Sequence, residues 1–134
     1  MATNQTLHLP KVLVVEDDKL LSHLAIPLFK EAGYAATVLL DGEKALTMWE
    51  KHPDFVAAFV DLGLPGINGF SLVSQMKALQ PHIPVIVLTA RMEFKAQKSS
   101  LCKQYGIEDL LIKPLMPPKI IQILNKHVKK TSLS

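Results

Sequence analysis

The chain has 134 residues, 49% of them hydrophobic and 20% charged. That suffices for one domain with a packed core, and it excludes both a second domain of ordinary size and an intrinsically disordered chain. Lys and Arg number 15 against 12 acids, and the single cysteine, Cys102, excludes an internal disulfide.

The charge is unevenly spread. Residues 1–67 hold 5 Lys and 9 acids, whereas residues 68–134 hold 10 Lys and Arg and 3 acids. No apolar run approaches the ~18 residues that cross a bilayer, so no membrane insertion is expected. The leader, residues 1–10, has neither a basic start nor an apolar core, and the expected setting is the cytoplasm.

Taken in chain order, short apolar runs alternate with amphipathic stretches. Strands are predicted at Val12–Val15, Ala35–Leu40, Phe55–Val60, Val85–Leu88 and Leu110–Ile112. They are short, rich in Val, Ile and Phe, and apolar on both faces, as buried strands of a parallel sheet are. Helices are predicted over Asp18–Ala32, Gly42–Lys51, Phe70–Leu79, Glu93–Tyr105 and Pro117–Lys130. Pro27 predicts a kink or local irregularity in the first of these. In the last, Ile120, Ile121, Ile123, Leu124 and Val128 share one face. Five βα units of this length make an α/β fold with helices on both faces of a parallel sheet, in one domain over residues 11–130 followed by a tail, 131–134.

Ligands of such sheets sit beyond the carboxyl ends of the strands. There the sequence places Glu16, Asp17 and Asp18 after the first run, Asp61 after the third, Thr89 after the fourth, and Lys113 and Pro114 after the fifth. Clustered carboxylates repel one another unless a hard cation neutralises them, and oxygen-only donors suit Mg²⁺, Mn²⁺ or Ca²⁺. Adding Lys113 and the Thr89 hydroxyl makes a site for a phosphate bridged by a metal. The first strand lacks the Gly-rich turn that a dinucleotide site or a P-loop needs there. Gly63, Gly66 and Gly69 instead follow the third strand and predict a tight loop. His8, His23, His52, His82 and His127 are expected on the surface or on helices, Trp49 and Met48 in packing roles, and Cys102 as a small buried residue.

Val12 to Asp18, Asp61 to Gly69, Val85 to Ala90 and Ile112 to Leu115, in that order and each at a strand end, resemble the response regulator receiver domain. The resemblance covers Lys11 to Lys130 and implies a flavodoxin-like (βα)5 fold with strand order 2-1-3-4-5. It implies that Asp61 accepts a phosphoryl group from a histidine kinase or a histidine phosphotransfer protein. Asp17, Asp61 and the Gly63 carbonyl would bind Mg²⁺, or Mn²⁺ in its place, with Glu16 acting through water. Lys113 would pair with Asp61 at rest and Thr89 would turn toward the phosphoryl group. Asp18 is left to start the first helix, and the Lys113–Pro114 bond is expected to be cis.

Two features depart from the family pattern. Receivers commonly carry an aromatic three residues before the Lys, coupled to the Thr, and here that residue is Leu110. Gly63 and Arg91 stand two residues after Asp61 and Thr89, where access to the phosphoryl group is shaped. The motif wording is closer to hybrid-kinase receivers than to transcription factors. The resemblance thus implies a monomeric signalling module, not a turnover enzyme, without direct DNA binding. The basic C-terminal helices would offer Lys95, Lys98, Lys126 and Lys129 to an acidic partner. The alternatives are a pseudo-receiver with a vestigial site and a small phosphatase, the latter disfavoured by Gly63 where such enzymes carry a second acid.

Overall fold

Five parallel strands in the order β2-β1-β3-β4-β5 form the sheet of the computed structural model, which describes residues 9–64, 66 and 68–128. They are β1 (Lys11–Val15), β2 (Ala35–Leu39), β3 (Phe55–Asp61), β4 (Val85–Thr89) and β5 (Asp109–Ile112). The helices are α1 (Lys19–Glu31), α2 (Gly42–Lys51), α3 (Gly69–Leu79), α4 (Lys98–Tyr105) and α5 (Pro117–His127).

Alternation along the strands sends side chains into two core layers. Leu13, Val15, Val60, Val87 and Leu110 face Trp49 of α2 and Leu72 and Met76 of α3. Val12, Val14, Phe59, Ile86 and Leu111 face Phe29 of α1 and Ile120, Ile123 and Leu124 of α5. Each large side chain buried this way stabilises the fold by about 1.5–3 kcal/mol. Trp49 is fully buried, donates from Nε1 to the Met76 carbonyl at 2.9 Å and stacks on Phe55, which is the packing role expected of it.

Side-chain caps set three helix starts. Asp18 accepts from the Leu20 and Leu21 amides, Asp41 from Glu43 and Lys44, and Asn68 from Phe70 and Ser71. Each such cap contributes about 1 kcal/mol. Gly69 is required by packing, since a Cβ there would lie 2.7 Å from the Leu62 Cα. Gly66 adopts φ +84, a conformation that favours glycine. The tight loop expected after β3 is therefore built on these two residues.

Three local expectations are corrected. β2 is an edge strand and is only half-buried along its length, so it is not apolar-packed on both faces. The helix expected over Glu93–Tyr105 is split into a 3-10 turn, Met92–Lys95, and α4. The Phe94 and Gln97 amides bond three residues back, to the Arg91 and Phe94 carbonyls, and this tighter winding prevents one continuous α-helix. Pro27 lies inside α1 and does not end it, since the helix continues to Glu31. α5 ends at His127, where the expected helix ran on; Lys129, Lys130 and the tail 131–134 lie outside the described residues, as do His8 and the leader up to residue 8.

Candidate functional site

The site stands on the carboxyl ends of four strands, held level by backbone bonds between neighbours. The Leu62 amide donates to the Leu88 carbonyl at 3.0 Å and the Lys113 amide to the Thr89 carbonyl at 2.8 Å. Parallel register thus brings the residues after β1, β3, β4 and β5 to one rim. Glu16, Asp61 and Thr89 are buried there, at 3%, 5% and 2% exposure, whereas Asp17 is exposed.

Lys113 is the bridge between the two buried acids. Its Nζ lies 2.9 Å from Glu16 Oε1 and 3.1 Å from Asp61 Oδ2. The contact with Asp61 is the one expected, and the contact with Glu16 adds a partner that the sequence reading did not give. Asp61 Oδ1 also accepts from the Gly63 amide at 3.0 Å, and Glu16 Oε2 from the Asp18 amide at 3.2 Å. The Lys113–Pro114 bond is cis.

Charge is out of balance at this rim. Glu16, Asp17 and Asp61 bring carboxylate oxygens within 4.8 Å of one another around a single ammonium. Burial pushes the Glu16 carboxyl above the usual carboxylate range, and the neighbouring Asp61 adds to this, against the pull of Lys113. Burial also works against the Asp61 anion, but the Gly63 amide, Glu16 as hydrogen-bond partner and Lys113 outweigh it and hold Asp61 below the usual range. The Lys113 ammonium loses solvation on burial, yet its two carboxylate partners keep it protonated beyond the ordinary lysine range. Glu16 and Asp61 thus divide one ammonium between them, and Asp17 adds a third carboxylate. An all-oxygen donor set carrying surplus negative charge fits a hard divalent cation such as Mg²⁺.

Asp61 opens onto a cavity of about 560 Å³ lined by Gly63, Thr89, Arg91 and Lys113, with Phe70 and Phe94 as its apolar wall. The Thr89 Oγ1 accepts from the Arg91 amide at 3.0 Å. The Arg91 guanidinium pairs with Glu93 at 3.0 Å and lies over the Phe94 ring, 5.0 Å from its centroid. The structure thus gathers Glu16, Asp17, Asp61, Gly63, Thr89 and Lys113 at one rim. Asp18 caps α1, as its position suggested.

The sequence profile of the response regulator receiver domain matches residues 12–125. The chain belongs to that family. It is 32% identical over 123 residues to the two-component response regulator PhoP of Pseudomonas aeruginosa, covering 91% of this chain and 53% of that protein. The Francisella response regulator 1452 receiver domain superposes with a TM-score of 0.77 at 31% identity, covering 87% of this chain and 94% of its own. The receiver domain of a Pseudomonas aeruginosa sensor histidine kinase, solved with a magnesium ion coordinated in its active site cleft, superposes with a TM-score of 0.76 at 26% identity, covering 88% and 96%. Transcriptional regulators and a kinase receiver therefore both stand among the relatives. The chain spans about half the length of the curated regulators PhoP and CreB that it matches. As a receiver it is a signalling module of two-component systems, and the pseudo-receiver alternative is not supported. Among the described residues, no helix is long and apolar enough to cross a membrane.

Three features were not foreseen. His127 is a helix residue, as expected, at the end of α5. The unforeseen part is its partner: Nε2 lies 2.9 Å from Asp109, a carboxylate only 1% exposed. Asp109 also pairs with Lys98 at 2.6 Å, so Lys98 is engaged internally and is not a free charge for a partner. The one signal in the sequence was the acid at the head of β5, Asp109, to which no role was assigned. Cys102, expected as a small buried residue, is packed against the core but only half-buried, with its thiol pushed up by burial first and by Asp109 next. Tyr105 stacks on Phe70 with ring centroids 4.4 Å apart.

Proposed function

We propose that Asp61 is the phosphoacceptor of this receiver, which spans residues 11–130. The observation that carries the reading is the meeting of three carboxylates and one lysine at the mouth of a cavity that also holds the Thr89 hydroxyl. The donor is a phosphohistidine of a histidine kinase or of a phosphotransfer protein. An Asp61 oxygen attacks phosphorus, an O–P bond forms, the N–P bond breaks, and the electron pair returns to the donor imidazole. A carboxylate is a modest nucleophile, and such transfers depend mainly on positioning and charge neutralisation.

The chain's own residues supply most of both. Lys113 moves from sharing Asp61 and Glu16 to meeting a phosphoryl oxygen. Thr89 turns its hydroxyl toward the same group. The Gly63 amide keeps the Asp61 carboxylate oriented, and the missing side chain at Gly63 leaves the cavity open. Arg91, at the opposite lip, shapes the approach of water. Asp17 and Asp61, with the Gly63 carbonyl and Glu16 through water, would hold Mg²⁺, or Mn²⁺ in its place. Such an ion would neutralise charge building on the phosphoryl oxygens.

The adduct cycles on and off, so the receiver acts as a switch and not as a turnover enzyme, and it meets its kinase in the cytoplasm as a monomer. We assign no DNA contact to the receiver itself. Lys95 and Lys126 remain the described candidates for an acidic protein partner, with Lys129 outside the described residues. Intact-mass spectrometry with Mg²⁺ and a small acyl phosphate tests the central step. The expected result is a gain of one phosphoryl group by the native chain and none by Asp61→Asn. An unmodified native chain that nevertheless binds Mg²⁺ would contradict it.

A further inference from the structure

Leu110 stands where receivers commonly carry a mobile aromatic. It is 2% exposed and packed in the core layer with Val87 and Ile107. A buried leucine presents no aromatic ring there to report on Thr89. A different route leaves Thr89 here. Its Oγ1 accepts from the Arg91 amide at 3.0 Å, and Arg91 lies over the Phe94 ring at 5.0 Å. Phe94 meets Phe70 edge-on, with centroids 5.9 Å apart and planes at 70°. Phe70 stacks on Tyr105 at 4.4 Å and 18°. Phe94 and Phe70 also line the cavity that holds Asp61 and Thr89.

We propose that this aromatic chain, Phe94–Phe70–Tyr105, carries the state of Asp61 from the Thr89–Arg91 contact to the C-terminal end of α4. The inference rests on the reading of Asp61 as phosphoacceptor. When the Thr89 hydroxyl turns to a phosphoryl oxygen, Oγ1 leaves the Arg91 amide. Arg91 opens the 3-10 segment, so its release frees the Met92–Lys95 turn and the Phe94 ring with it. Phe94 sets the edge against which Phe70 rests, and Phe70 sets the plane of Tyr105. The other anchors stay in place: Gly69 is packed against Leu62, and Lys98 at the start of α4 is clamped to buried Asp109. Motion is therefore confined to the turn carrying Lys95 and to the Tyr105 end of α4. A ligand shifts such an equilibrium only by its differential contact with the two states, and the Thr89 hydroxyl is that contact.

The chain has two tyrosines, which makes the test direct. Tyr34 packs in the opposite core layer, beside Phe29, and serves as an internal reference. The protein is labelled with 3-fluorotyrosine and titrated with Mg²⁺ and beryllofluoride, an acyl-phosphate mimic, until the bound beryllofluoride resonance saturates in the same ¹⁹F spectrum. Tyr105 is expected to shift in the native chain and in Thr89→Ser, which keeps the hydroxyl. Tyr34 is expected to stay. The Tyr105 shift should be lost in Thr89→Val and in Phe70→Leu at saturation. Bound beryllofluoride with an unmoved Tyr105 would overturn the relay while leaving the phosphoacceptor intact. So would a Tyr105 that still moves in Thr89→Val or Phe70→Leu. Absence of any bound resonance in the native chain would overturn the phosphoacceptor reading, and the relay with it.

Discussion

Two clusters of acids and bases are built into opposite ends of the same sheet, and they are resolved in opposite ways. At the amino end of β5, Asp109 meets Lys98 and His127, and Glu108 meets Lys77. Lys77 Nζ also donates to the Pro81 and Ile83 carbonyls, and Glu108 accepts from the Val85 amide. Every acid there has at least one cation of its own. Burial works against the Asp109 anion, but Lys98, His127 and the Leu110 amide overcome it and hold its carboxyl below the usual range. At the carboxyl ends, Glu16 and Asp61 share Lys113 with Asp17 beside them, and Glu16 is driven above the usual range. A satisfied cluster ties elements together. One with more acids than cations, unsatisfied in charge though not in hydrogen bonds, fits a cation from outside.

The sharpest break in this comparison comes from the satisfied end. Asp109→Ala removes one buried partner from two bases and should cost about 2–3 kcal/mol in chemical denaturation, less than a fully buried pair because Lys98 is partly exposed. At the unsatisfied end, Mg²⁺ should stabilise the native chain by about 1.4 kcal/mol at ten times its Kd. Thermal melts should show most of that gain lost in Asp17→Asn.

The smallest change should be the most telling. In Mg²⁺-free buffer, Glu16→Gln should fall within about 1 kcal/mol of the native chain and on the stabilising side, since it removes a charge the site disfavours. The pH profiles should diverge in sign. Glu16 has a raised folded pKa, so its contribution is present at low pH and fades as pH rises through that pKa, above the ordinary 4.5. The advantage of Glu16→Gln should therefore grow with pH. Asp109 has a lowered folded pKa, so its contribution is present above the ordinary 3.8 and is lost as pH falls through the folded value. The deficit of Asp109→Asn should therefore shrink in acid. Parallel profiles would contradict the contrast.

How much of this was legible depended on what each feature needs. Val12–Val15 and Val85–Leu88 announced themselves because a strand buried on both faces needs an unbroken apolar run. Glu16, Asp61, Thr89 and Lys113 were legible because a parallel sheet sends all its carboxyl ends to one rim. The Lys113–Glu16 contact was not, since it depends on the depth to which Glu16 is buried. Nor was the Asp109–Lys98–His127 cluster, which joins α4, β5 and α5 at spacings that follow no period. The split of the Glu93–Tyr105 helix escaped for a similar reason. The 3-10 winding through Phe94 and the Phe70–Tyr105 stack belong to tertiary structure. No local spacing encodes either one.

The central claim is that the unsatisfied carboxylate end, and Asp61 within it, receives the phosphoryl group. Reductive trapping with borohydride after reaction with Mg²⁺ and an acyl phosphate, followed by peptide mass spectrometry, names the modified carboxylate. The account predicts one trapped residue, Asp61, in both the native chain and Asp109→Asn. Trapping at any other carboxylate, or undiminished trapping in Asp61→Asn, would contradict it.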